Sequence, residues 1–148
     1  MNNSILVAWN ESMSSRAALD YLVSFAVCTE NVQITLLHVF RKASASEELM
    51  GKMFTKEEEK RLLDLLNKTK DFLVEKGFPP DNVQVEMSLE PYPTIADGII
   101  DYYKKGKYDM VLIGRKRMSK AEEFVMGDIS IRLVRALEAG AVLVVKSR

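Results

Sequence analysis

Apolar residues gather along this chain in five short runs, separated by longer stretches in which they recur every three or four positions. Ser4-Ile5-Leu6-Val7-Ala8-Trp9 is too short for a helix and rich in branched residues, so it reads as a strand buried on both faces. Val32 to Phe40, Met110 to Ile113 and Val142 to Val145 read the same way. Val83-Gln84-Val85-Glu86-Met87-Ser88-Leu89 instead alternates apolar and polar positions, as a half-exposed edge strand does.

Helical periods fill the intervals. Asn10-Glu11-Ser12 offers capping side chains, with Ser12 or Ser14 as the cap, ahead of Ala17, Leu22, Phe25 and Ala26 on neighbouring turns. Residues 41 to 54 turn polar, with Ser44, Ser46 and Gly51 interrupting any period; they predict a loop with one helical turn at Glu47 to Met50. Thr55-Lys56-Glu57-Glu58 has capping-box form, and the helix behind it turns Leu62, Leu65, Leu66, Thr69, Phe72 and Leu73 inward until Gly77, Pro79 and Pro80 stop it. After Pro91 and Pro93, Thr94-Ile95-Ala96-Asp97 is a second capping box, opening a helix with Ile95, Ile99 and Tyr103 inward and Gly106 at its end. The last helix is expected from about Ile129 to Ala139.

Five strands alternating with four helices predict an α/β fold, an open parallel five-stranded sheet with helices on both faces and right-handed crossovers. Neither a repeat nor a linker divides it, so residues 1–148 are expected to form one domain. Lys plus Arg (21) balance Asp plus Glu (21), which removes the global field that would draw the protein to nucleic acid or an anionic membrane. No apolar run approaches the roughly 20 residues of a membrane span, and no signal-peptide pattern opens the chain, so the cytoplasm is the expected compartment. A single cysteine, Cys28, cannot pair internally; beside Phe25, Ala26 and Val27 it is expected to be a packed helix thiol.

The candidate chemistry lies at one corner. With strand order 3-2-1-4-5, ligands bind beyond the carboxyl ends of the strands where the winding reverses, which brings Ala8-Trp9-Asn10 beside Gly114. Tyr108-Asp109-Met110-Val111-Leu112-Ile113-Gly114 ends in a loop from Arg115 to Met126, far longer than the roughly 2–6 residues usual between strand and helix, before Gly127-Asp128 opens the last helix. That is the layout of a phosphate-binding corner.

Other residues offer less. His38 and Trp9 read as packed residues, Glu57-Glu58-Glu59 as a solvated first helical turn, and Ser12, Ser14 and Ser15 lack a neighbouring base. Neither a metal cluster nor a catalytic constellation emerges, so no enzymatic role is expected. A phosphoacceptor receiver domain would need an acidic pair after strand one, and none is there. The terminal run Ala141-Val142-Leu143-Val144-Val145 carries no proline or charge to protect an edge, which predicts pairing with a second copy.

Five separated blocks, Ile5-Leu6-Val7-Ala8 with Ser12, Thr35-Leu36-Leu37-His38-Val39, Tyr108 to Gly114, Gly127, and Val142-Leu143-Val144-Val145, resemble the universal stress proteins of the UspA type over nearly the whole chain. The resemblance implies a Rossmann-like fold akin to the adenine nucleotide alpha hydrolases and a stress-response role. It also implies a homodimer joined through Val142, Leu143, Val144 and Val145, and a protein partner that the sequence does not identify. The family's nucleotide-binding branch carries Gly-x2-Gly-x9-Gly-Ser/Thr after strand four and an Asp at the end of strand one. Gly114 and Gly127 match the first and third glycines, whereas Arg117 replaces the second, Asp128 replaces the Ser/Thr and Asn10 replaces the Asp.

The implied pocket, Ala8, Trp9, Asn10, Val39, Gly114, Arg117, Gly127, Asp128, Ile129 and Ser130, is therefore expected to be an altered nucleotide site. An arginine crowds a loop that needs bare backbone, and a carboxylate at a helix N-terminus takes the N–H groups that a phosphate would use. Arg115, Lys116, Arg117 and Lys120 pull the other way, with Ser130 offering a hydroxyl, so an ATP or AMP sensor with slow hydrolysis at most is the alternative.

Overall fold

The computed structural model describes residues 3–25, 28–43, 45–49, 56–88, 90–122 and 128–147. In chain order the elements are β1 (Asn3–Ala8), α1 (Met13–Phe25), β2 (Val32–His38), α2 (Ala45–Leu49), α3 (Lys56–Glu75), β3 (Val83–Met87), α4 (Ile95–Lys105), β4 (Met110–Arg115), α5 (Ile129–Ala136) and β5 (Ala141–Lys146). All neighbouring strands are parallel, in the order β3-β2-β1-β4-β5 that the sequence predicts. Val7 stands between Leu36 and Leu112, so the central strand is flanked by apolar neighbours on both sides.

Side chains of a strand point alternately to opposite faces, which divides the core in two. Ile5, Val7 and Trp9 meet Leu19 and Leu22 of α1 and Leu62, Leu66 and Leu73 of α3 on one face. Leu6, Val111 and Ile113 meet Ile99 and Tyr103 of α4 and Leu133 of α5 on the other. Among the described residues no helix is long and apolar enough to cross a membrane.

Local differences from the expected pattern have local causes. With Ser12 as the cap, the inward stripe of α1 runs through Ala18, Leu19 and Leu22, which leaves Phe25 on a flank and half exposed. Cys28 lies beyond the end of α1 and is exposed, not packed within a helix. The turn expected at Glu47 to Met50 is α2, adding a short helix to the four expected; Arg41 grips its Glu47 through a two-bond fork. The last helix stops at Ala136, where Leu137 turns extended. Thr94 caps α4 as expected, accepting the Asp97 N–H at 3.2 Å. Thr55, Ala26, Val27, Met50, Gly51 and Leu89 lie outside the described residues.

Candidate functional site

The pairing of β1 with both β2 and β4 carries Trp9 and Asn10 out of the sheet between them. Trp9 is buried, its N–H donating to the Leu37 carbonyl at 2.8 Å and its ring edge-on to His38. His38 Nδ1 lies 3.2 Å from the Trp9 carbonyl, an oxygen that only accepts, so Nδ1 carries the proton. Burial pushes this imidazole below its ordinary value, and the bond to Trp9 offsets only part of that. His38 is a neutral packed residue at physiological pH.

Asn10 is locked by the turn that follows it. Its Oδ1 accepts from the Ser12 N–H at 2.9 Å and the Ser15 hydroxyl at 3.0 Å, and its own N–H donates to Ser15 Oγ. Because one of those donors is a backbone N–H, the assignment of the amide oxygen and nitrogen is fixed. Ser12 Oγ then caps α1 on the Ser15 N–H. Arg61 of α3 holds Glu11 through a fork of 2.8 and 2.9 Å and also bonds Glu58, tying the start of α3 to the loop after β1.

The opposite wall is Gly114 and the start of α5. A Cβ at Gly114 would overlap the Ser14 carbonyl, so the end of β4 and the first turn of α1 touch through the missing side chain. At α5, Asp128 Oδ1 accepts the Ser130 N–H at 3.0 Å and also the Ser130 hydroxyl. Oδ2 faces the Arg115 guanidinium at 2.8 Å, with the two side chains only 7% and 23% exposed. Burial acts to raise this carboxyl, yet the bonds from Ser130 and the charge of Arg115 prevail and hold it below the usual carboxylate value. A buried anion thus sits at the positive end of α5 with its own counter-cation. Arg115 is not the free loop cation that the sequence suggests; it is the last residue of β4, opposite Lys146.

Between these walls lies an apolar slot of about 70 Å³. Of the expected site residues, Ala8, Trp9, Asn10, Val39, Gly114 and Ile129 line it. Asp128 and Ser130 are buried at the adjoining helix start, and Arg117 stands exposed in the loop. Gly127 lies outside the described residues. The slot also takes in Leu37, His38, Ile95, Ile99 and Ile113, which sequence reasoning left out of the site. Their signal was positional: each stands at the carboxyl end of a strand or in the first turns of α4. Among the described residues no group of three or more His, Cys, Asp or Glu is arranged to hold a metal.

The model of a family described as the Universal stress protein family matches residues 1–146. Among solved structures, UspA from Lactobacillus plantarum is 18% identical with a TM-score of 0.70, covering 97% of each chain. A universal stress protein in complex with cAMP is 15% identical with a TM-score of 0.68, over 97% of this chain and 96% of that one. A family protein from Arabidopsis thaliana with AMP bound is 18% identical with a TM-score of 0.63, over 99% and 92%. At these identities the likeness is one of fold. No curated protein matches the chain.

Proposed function

A chain that matches this model from residue 1 to residue 146 belongs to the universal stress protein family, and from that premise we propose a non-catalytic stress-response protein that acts by dimerising and binding a partner, its nucleotide corner altered. The observation that carries this reading is the Asp128 carboxylate. It takes the free N–H of Ser130 and the charge of Arg115, the kinds of group that a phosphate at a helix N-terminus requires. A nucleotide would have to displace a buried, hydrogen-bonded anion before its own phosphates could bind. Titration calorimetry on protein stripped of carried-over ligand tests this. Weak binding of both ATP and AMP is expected, and a dissociation constant near 1 μM, about −8 kcal/mol, would overturn it.

Support for self-association comes from β5 and the helix flanks beside it. No strand lies beyond β5 among the described residues, and its Val142, Leu143, Val144 and Val145 are all half buried. Arg16 of α1 reaches toward α3 and Arg132 of α5 reaches toward α4. By helical geometry Tyr21 and Phe25 on α1, and Ile131 and Val134 on α5, therefore lie on the other flanks, toward β5. These four apolar side chains are 46% to 62% exposed, and Tyr21 stacks on Phe25. Light scattering should report a homodimer that Val134→Lys weakens; a monomer at tens of micromolar would remove strand five from the proposal. Val144 is a poorer probe, because it packs against the core on the α5 face.

The second reading, an AMP or ATP sensor, is favoured by Gly114 and by the relatives whose structures hold AMP and cAMP. The same titration separates the two.

A further inference from the structure

Beside Trp9, α1 and α3 leave a cleft of about 410 Å³. Its volume falls within the range of small-molecule sites, and its lining is ordered in two layers. The floor is apolar, formed by Trp9, Leu19, Leu65 and the Phe72 ring. The rim is made of donors. Arg16 lies 4.2 Å above the centre of the Phe72 ring while its Nε bonds Asp20, which leaves its two terminal nitrogens without a partner among the described residues. Lys68 of α3 also lines the cleft, without a partner among the described residues.

The carboxylate of the lining is already occupied. Both oxygens of Glu11, the one carboxylate in the lining, are held by Arg61. A cleft with cationic donors at the rim, an apolar floor and no free carboxylate complements a molecule with the reverse order of groups. We infer that this cleft binds an organic carboxylate carrying an apolar body, with Arg16 forking the carboxylate, Lys68 adding a point charge, and Leu19, Leu65 and Phe72 covering the hydrocarbon. The cleft shares Trp9 and Asn10 with the nucleotide corner, but the inference rests on Arg16, Lys68, Leu65 and Phe72, which do not line that corner, whose apolar walls Val39, Ile95, Ile99, Ile113 and Ile129 lie on the other face.

Decanoate, kept below its micelle concentration, is a suitable probe, with decanol as the uncharged control. In amide chemical-shift titrations decanoate should bind saturably at about 1 mM or tighter, moving residues 10, 12, 16, 68 and 69. The fluorescence of Trp9, the only tryptophan, should change in parallel. Arg16→Gln and Lys68→Met should each weaken binding about tenfold, and decanol should bind far less. Lys68 is exposed, so its variant remains informative if loss of the Arg16 contacts perturbs folding. The inference is overturned by shifts confined to residues 39, 95, 99 and 113, by equal binding of decanol, by unchanged affinity in Lys68→Met, or by the absence of saturable binding.

Discussion

Two helices begin at the carboxyl edge of the sheet on the same face, and they treat their positive ends differently. The start of α4 is capped by the neutral hydroxyl of Thr94, at an exposed position reinforced by Arg132 reaching across from α5 to Thr94 and Asp97. The start of α5 is capped by a buried carboxylate with a partly buried counter-cation from β4. A hydroxyl satisfies N–H groups without cancelling the helix field, whereas Asp128 does both. Each end also has a carboxylate close by, but Asp97 at α4 is half exposed and paired with Arg132, whereas Asp128 is buried on the N–H groups themselves.

Removing each cap should separate the two ends most plainly. Asp128→Ala removes a cap worth about 1 kcal/mol and also the ion pair that the carboxylate makes with the partly buried Arg115, so a total loss of about 2–3 kcal/mol is expected in urea unfolding. Next in size is the gain in ligand binding when the end of α5 is opened. Asp128→Ser combined with Arg117→Gly should tighten ATP or AMP binding at least about tenfold, near 1.4 kcal/mol, in the calorimeter. No gain would place the obstacle at Asn10 or in the narrow slot.

Thr94→Ala should cost about 1 kcal/mol, because Arg132 keeps its bond to Asp97 when the hydroxyl is gone. A loss equal to that of Asp128→Ala would erase the distinction between the ends.

Acid should expose the smallest difference. The folded Asp128 carboxyl is held below its unfolded value, so its contribution is full above about pH 4 and is lost as pH falls through the folded value. Stability of the wild type should therefore fall more steeply below pH 4 than that of Asp128→Asn. Asp97 is also depressed, first by the Thr94 hydroxyl and then by Arg132, but it is half exposed. Asp97→Asn should change the acid slope less.

What could be read from the chain was what short-range chemistry writes into it. The period-two pattern of Val83 to Met87 identified an edge, and Thr94-x-x-Asp97 and Asp128 announced their caps, because each signal spans a few residues. The Arg115–Asp128 pair has no such signal. Gly114 looked like the end of a strand, yet β4 continues one residue further beside β5, and only that pairing aims Arg115 at the helix. Cys28 and Phe25 were misplaced for a related reason, since where a helix stops and which flank faces solvent depend on what packs beside it. The cleft between α1 and α3 was foreshadowed only in that Leu65 and Phe72 shared the predicted inward face yet remained half buried.

Gly114 carries a consequence for inheritance. Any side chain there would collide with the backbone of α1, so folding alone demands the glycine, whatever the corner binds. Selection on packing alone would retain it in any descendant of this chain, with or without a ligand. The presence of the glycine records how β4 meets α1 and is silent on what the corner holds.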